Sequence, residues 1–217
     1  MKQETFAEIK DRIIYVLENA EAAEGKARPH QAYLDMIKTF RIYRYDGEKD
    51  LNITWDDLGK WGVELETVEE AAERNTPVLT PPLIYQVAQT SYGTQQIEIG
   101  DNMEAILENL AYIDDVSNPM YMLTNATSQY GAASILDKVL LERIAESWKE
   151  DIILLPSSVH EFLLIPFSKK RMELKDWQET VSFINSRRFM EGSVLSNSVY
   201  QYDWIKKEIL IGYSPDK

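Results

Sequence analysis

Two apolar runs flank a short turn in the stretch that decides the fold, Ile152-Ile153-Leu154-Leu155-Pro156-Ser157-Ser158-Val159-His160-Glu161-Phe162-Leu163-Leu164-Ile165-Pro166. An apolar run of about four to eight residues bounded by turn residues is typical of a buried strand. The stretch therefore predicts a strand, a tight corner and a second strand. His160 and Glu161 begin the second strand, near the edge of a hydrophobic core.

Further helices and strands are predicted on both sides of this hairpin. In the C-terminal half of the chain we expect a strand over 120–123 that ends at Thr124-Asn125, a long helix over 132–148, a helix over 173–187, and strands over 199–204 and 208–213. Towards the N-terminus we expect an amphipathic helix over 4–20, a strand-rich run over 33–45, and helices over 55–61, 66–75 and 103–112, with residues 83–101 open between helix and strand. Thr54 and Gly62 are the expected caps of the helix over 55–61, and Thr76-Pro77 with the pair Pro81-Pro82 is expected to end the next one.

The order of these elements indicates an α+β fold with a largely antiparallel sheet and helices packed on one face. The chain divides into an N-terminal helical and strand region, 1–115, and a C-terminal α+β region, 116–217, or forms one continuous domain. A chain of 217 residues is long enough for either arrangement.

Composition excludes several classes of function. The chain carries 23 basic and 36 acidic residues, a net charge of −13, and a nucleic-acid binder or a protein of an anionic membrane surface needs a basic face. Because there is no cysteine, disulfides, thiolate nucleophiles and cysteine-bound zinc are excluded. No stretch reaches the ~18 apolar residues of a membrane span. We expect a cytoplasmic protein that binds neither nucleic acid nor a membrane.

Four motifs resemble one known family. They are Tyr121-Met122-Leu123-Thr124-Asn125, Tyr130-Gly131-Ala132-Ala133, Leu154-Leu155-Pro156-Ser157-Ser158-Val159-His160-Glu161 and Val194-Leu195-Ser196-Asn197-Ser198-Val199-Tyr200-Gln201-Tyr202-Asp203. Together they resemble an uncharacterised bacterial family, domain of unknown function 5688, over nearly the whole chain. The resemblance implies a bacterial cytoplasmic setting and no particular activity. Members carry a further segment before the position of Met1, so we expect the first helix to expose a face that this segment would cover.

The serines beside His160 invite comparison with a hydrolytic site. On a strand, Ser158 and His160 share one face and Glu161 points to the other. A catalytic histidine needs an acidic group behind its ring to orient it, and Glu161 cannot take that place. The glycines of a nucleophile elbow are also missing. Hydroxyl-to-backbone bonds that close the turn explain Ser157 and Ser158 more simply.

Metal and phosphate sites have little support. His160-Glu161 lacks the second histidine of a His-Glu-x-x-His motif, and oxygen ligation by Asp114 and Asp115 competes with simple solvation of an acidic loop. The polar loop 125–131 leads into a helix, as a phosphate-binding loop does, but it has one glycine and no lysine. A helix N-cap at Thr127 or Ser128 is the simpler interpretation. We expect no metal and no cofactor.

The preferred hypothesis is a non-enzymatic binding or regulatory module that contacts a protein or a small molecule, with a homo-oligomer left open. No residue is assigned a catalytic role, and the candidate binding residues are those at the turns: Asn125, Tyr130, Ser157, Ser158, His160 and Glu161. The alternative is a hydrolase that combines Ser158 and His160 with a carboxylate from elsewhere in the chain.

Overall fold

A computed structural model describes residues 4–22, 26–45, 48–90, 93–100, 103–111, 120–187 and 192–215. The chain forms two compact units, Met1–Pro81 and Pro82–Lys217. The sequence left open a division at residue 115 or one continuous domain. The strand Pro82–Thr90 pairs with the strand Tyr121–Asn125 and so belongs to the second unit.

The first unit is a four-stranded antiparallel sheet with helices. Its elements are α1 (Phe6–Ile9), a 3-10 turn (Lys10–Arg12), β1 (Ile13–Asn19), β2 (His30–Tyr33), β3 (Met36–Ile42), β4 (Leu51–Asn52), α2 (Trp55–Trp61) and α3 (Leu65–Leu79). The strand order is β1-β3-β2, and β4 also pairs with β3. The caps predicted for α2 are confirmed, since the Thr54 hydroxyl accepts from the Asp57 amide at 3.2 Å and Gly62 has a φ of 66°.

Two predictions for this unit are wrong. The amphipathic helix over 4–20 stops at Ile9, and Ile13–Asn19 is a strand paired with β3. Residues 13–18 are all buried, and a run rich in β-branched residues suits a strand buried on both faces. Pro77 does not end α3, which runs to Leu79. A proline so close to the end removes one helical hydrogen bond, and the Thr80 amide still reaches the Thr76 carbonyl at 2.9 Å.

The second unit is built on a seven-stranded antiparallel sheet. Its strands are β5 (Pro82–Thr90), β6 (Gly93–Gly100), β7 (Tyr121–Asn125), β8 (Ile152–Ser158), β9 (Glu161–Pro166), β10 (Val199–Asp203) and β11 (Glu208–Tyr213). Their order is β11-β10-β8-β9-β7-β5-β6. Residues 83–101, open at the level of sequence, supply the β5–β6 hairpin. The strand pair predicted from 152–166 is confirmed as the β8–β9 hairpin near the middle of the sheet. The predicted position of its corner is wrong, because β8 continues through Ser158 and His160 lies in the turn before β9.

Helices pack on both faces of this sheet, whereas the sequence predicted them on one face only. They are α4 (Met103–Ala111), a 3-10 helix (Gly131–Leu136), α5 (Lys138–Trp148), a short 3-10 turn (Phe167–Lys169) and α6 (Leu174–Asn185). On one face, Val181 of α6 packs in a core cluster with Ile153 and Val199. On the other, the rings of Tyr121 and Trp148 lie 5.3 Å apart between centroids.

The predicted long helix over 132–148 is wrong at its start. It is split into the 3-10 helix and α5 because Asp137 takes an extended conformation and caps α5, its carboxylate accepting from the Leu140 amide at 3.0 Å. The α+β class with antiparallel sheets is confirmed. Among the residues that the structure describes, no helix has both the length and the apolar character needed to cross a membrane.

Candidate functional site

The turn between β8 and β9 is closed by side-chain hydroxyls. Ser158 Oγ accepts a hydrogen bond from the His160 amide at 3.0 Å, and Ser157 Oγ donates to Glu161 Oε1 at 2.9 Å. The pairing of β8 with β9 shifts register between Pro156 and Ser158. The bulge and the two hydroxyl contacts together shape the turn between the two strands.

A second turn follows β7 and is organised by one asparagine. Asn125 Oδ1 accepts from the Thr127 amide at 3.1 Å and from its hydroxyl at 2.9 Å, while Asn125 Nδ2 donates to the Gln129 carbonyl at 2.9 Å. Two residues of the turn, Ser128 and Tyr130, each have a φ of 54°. An asparagine that bonds its own loop is a common way to hold such a backbone.

The two turns meet at His160. Its Nδ1 accepts from the Tyr130 amide at 3.0 Å, and the two rings lie 5.6 Å apart between centroids. The His160 carbonyl accepts from Thr124 Oγ1 at 2.8 Å. We call this joined region, residues 124–131 and 157–161, the corner.

Gly131 shows how closely the two turns approach. A Cβ atom added there would stand 2.3 Å from Thr124 Oγ1, 2.6 Å from the Asn125 nitrogen and 2.6 Å from the His160 carbonyl oxygen. Real Cβ contacts are not that short, so only glycine fits. The corner is therefore a tightly packed junction at this point.

These contacts define what His160 can do. An amide N–H can only donate, so Nδ1 is an acceptor and the neutral ring carries its proton on Nε2. Ser158 is 4% exposed and its hydroxyl oxygen faces the His160 amide. The pair proposed for a hydrolase, Ser158 and His160, is thus engaged with the backbone in this arrangement.

The structure brings together most of the residues singled out from the sequence. Asn125, Tyr130, Ser158 and His160 belong to one hydrogen-bonded junction, and Ser157 with Glu161 forms a pair inside the same corner. The predicted helix cap at Thr127 or Ser128 is wrong, because Tyr130 directly precedes the 3-10 helix.

Sequence reasoning missed Thr124 and Gly131. The Asn125-x-Thr127 spacing is a signal for the local turn. No local signal indicates that Gly131 must approach His160, which is 29 positions away in the printed sequence.

Metal binding finds no further support within the described ranges, where no group of three or more potential ligands was found. Asp114 and Asp115 lie outside the described residues. His30, the second imidazole, has Nδ1 at 2.8 Å from the Arg28 carbonyl. Because a carbonyl only accepts, this nitrogen donates and is not available as a ligand in that tautomer.

The comparisons with known proteins give a family. A family model described as "Family of unknown function (DUF5688)" matches residues 1–204, and the chain belongs to this family. Neither the curated proteins nor the solved structures yielded a match.

Proposed function

We propose that this member of the DUF5688 family is a non-enzymatic binding or regulatory module whose recognition surface is the corner. The observation that supports this most is the backbone of Ser128 and Tyr130, both held at a φ of 54°. A left-handed conformation costs a residue with a side chain roughly 1–2 kcal/mol. Leu34, Lys149 and Lys207 also have a positive φ, so what distinguishes the corner is that contacts between two separate turns hold this backbone in place, as is typical of strain at functional sites.

The contacts that hold this strain also fix the shape of the loop. The Asn125 side chain spans the turn through Thr127 and Gln129, and His160 fixes the amide of Tyr130. A loop that is already ordered loses less conformational entropy when a ligand binds. Rigid backbone at a surface turn is therefore suited to recognition.

The exposed part of the corner is polar and small. Ala126, Ser128 and Gln129 are exposed, and Tyr130 is half-buried. An amide, a hydroxyl and an aromatic ring with a hydroxyl favour a polar small molecule or a polar segment of a protein. We infer a partner of this kind.

The groups that a hydrolase would use are hydrogen-bonded to the protein itself, which supports a non-enzymatic role. The Ser158 hydroxyl, the Ser157 hydroxyl and His160 Nδ1 each have a structural partner within the corner. The alternative hydrolase would need Ser158 to leave its contact and His160 to act through Nε2. We place the module in the bacterial cytoplasm, supported by the family resemblance and by the absence of cysteine.

A binding screen with matched variants tests this function. Panels of polar metabolites and short peptides are screened by thermal shift, and hits are measured by calorimetry with Gln129→Arg. Because Gln129 is exposed, the variant should keep the wild-type melting temperature and weaken binding at least about tenfold, or roughly 1.4 kcal/mol. Glu179→Arg, an exposed change on α6, should leave binding unchanged.

Two results would contradict the proposal. One is a set of hits that Gln129→Arg does not affect. The other is hydrolysis of a generic ester or phosphate panel by the purified protein that His160→Ala abolishes while the fold is retained. The second result would favour the hydrolase.

A further inference from the structure

The strand β11 ends the seven-stranded sheet with an open edge. It pairs with β10 on one side, and within the part of the chain that the structure describes no strand pairs with its other side. Backbone N–H and C=O groups along such an edge are a template for another strand. The open edge is therefore suited to bind an extended segment of backbone.

The side chains of β11 do little to protect this edge. Natural edge strands are blunted by lysine, by proline or by charges that point inward. Glu208 is the only charged residue of β11, and the segment Ile209-Leu210-Ile211-Gly212-Tyr213 contains neither lysine nor proline. Five consecutive residues of β11 thus lack the lysine, proline or charged side chains that usually prevent an edge strand from pairing.

Apolar side chains flank the edge on both faces of the sheet. Leu210 lies opposite Gln201, on the face that α6 covers, and is 37% exposed. Ile209 and Ile211 lie on the other face, and both are only partly buried. A strand added beside β11 would cover side chains on both faces, which stabilises pairing in addition to the backbone bonds.

We propose that β11 pairs with β11 of a second copy of this chain, antiparallel and about a two-fold axis at Leu210. Identical strands in antiparallel register form a closed, self-complementary contact. The two seven-stranded sheets then join into one continuous sheet. This pairing is independent of the corner.

Charge selects the antiparallel arrangement. With Leu210 opposite itself, Glu208 lies across from Gly212 of the second copy, and Ile209 lies across from its Ile211. No like charges face each other within β11. Parallel pairing of the two strands would instead place Glu208 beside Glu208, which is destabilising.

A chain without cysteine allows a direct test. Leu210→Cys introduces a single thiol, and opposed Cβ atoms across paired strands lie about 4.5–5.5 Å apart, within reach of a short bifunctional thiol reagent. Val139→Cys on α5, where Val139 is 60% exposed, is the control for random collision. After normalising for thiol reactivity, we expect the Leu210→Cys chain to cross-link into a dimer at least about tenfold faster.

Sedimentation of the uncross-linked full chain completes the test. The wild-type protein should sediment as a dimer, Leu210→Lys as a monomer with an unchanged circular dichroism spectrum, and Val139→Lys as a dimer. Equal cross-linking rates at the two cysteine positions, or a monomeric wild type at about 100 µM, where a pair of micromolar affinity would be formed, overturns the proposal. A dimer that Leu210→Lys does not dissociate overturns it as well.

Discussion

Gly131→Ala should destabilise the second unit, although alanine normally favours a helical turn. The added Cβ would lie 2.3 Å from Thr124 Oγ1 and 2.6 Å from two backbone atoms, the Asn125 nitrogen and the His160 oxygen. Relief requires the two turns to separate, with loss of the 2.8 Å Thr124–His160 bond.

The magnitude follows from three contributions. Overpacking costs about 1–3 kcal/mol and the lost hydrogen bond about 1 kcal/mol. Alanine also reduces the conformational entropy of the unfolded chain, which stabilises the folded state by about 0.4–1 kcal/mol. The net loss for Gly131→Ala is about 2 kcal/mol, equivalent to a shift of about 1 M in the urea midpoint at an m value near 2 kcal/mol/M.

The assay is urea unfolding followed by tryptophan fluorescence and circular dichroism. Gly59→Ala is the matched control, because a Cβ at Gly59 in α2 meets nothing within 4 Å. That change should raise stability by about 0.5–1 kcal/mol. A Gly131→Ala protein within about 0.5 kcal/mol of the wild type would refute the close approach of the two turns.

Two further predictions concern the first unit. Thr76→Val should lower stability by about 1–3 kcal/mol, because the buried Tyr15 amide loses its acceptor, Thr76 Oγ1 at 3.0 Å; an unchanged urea midpoint would contradict this. Burial raises the pKa of Tyr33 to about 12, so its neutral form is favoured in the folded state. The contribution of this pKa shift to the stability of the folded protein is fully present below a pH of about 10. It is lost as the pH rises through 12. The phenolate absorbance of the wild type minus that of Tyr33→Phe should show a step near pH 12, and a step at the ordinary tyrosine value would exclude the effect.

The elements that the sequence predicted well carry both a hydrophobic pattern and a boundary residue. In α2 a threonine and a glycine stand at the two ends. In β8 the apolar pattern predicted the strand but not its end, because Pro156-Ser157-Ser158 belong to the strand and the turn is Val159-His160. In α2, by contrast, two signals coincide. Pattern and boundary then agree on the type and the length of the element. The pairing of β8 with β10 could not be predicted, because the paired residues, such as Leu154 and Tyr200, are far apart in the sequence.

The first strand shows how a correct pattern can predict the wrong element. The apolar residues of 13–17 suit helical spacing when they are combined with Phe6 and Ile9. In the structure Asn75 and Thr76 of α3 bond the β1 backbone, with Asn75 Nδ2 donating to the Ile13 carbonyl at 3.0 Å. These long-range bonds satisfy an open strand edge. Short apolar runs are ambiguous until such partners are known.

The distinctive polar residues of the corner lie on its two turns, and the shape of the corner depends on a contact between those turns. His160 was considered as a base, and its Nδ1 instead holds the amide of Tyr130 at a left-handed backbone position. A base must exchange protons, whereas this nitrogen keeps a loop in place only while it stays unprotonated. In this arrangement the Nδ1 lone pair of His160 therefore holds the backbone of the corner and is not free to accept another proton.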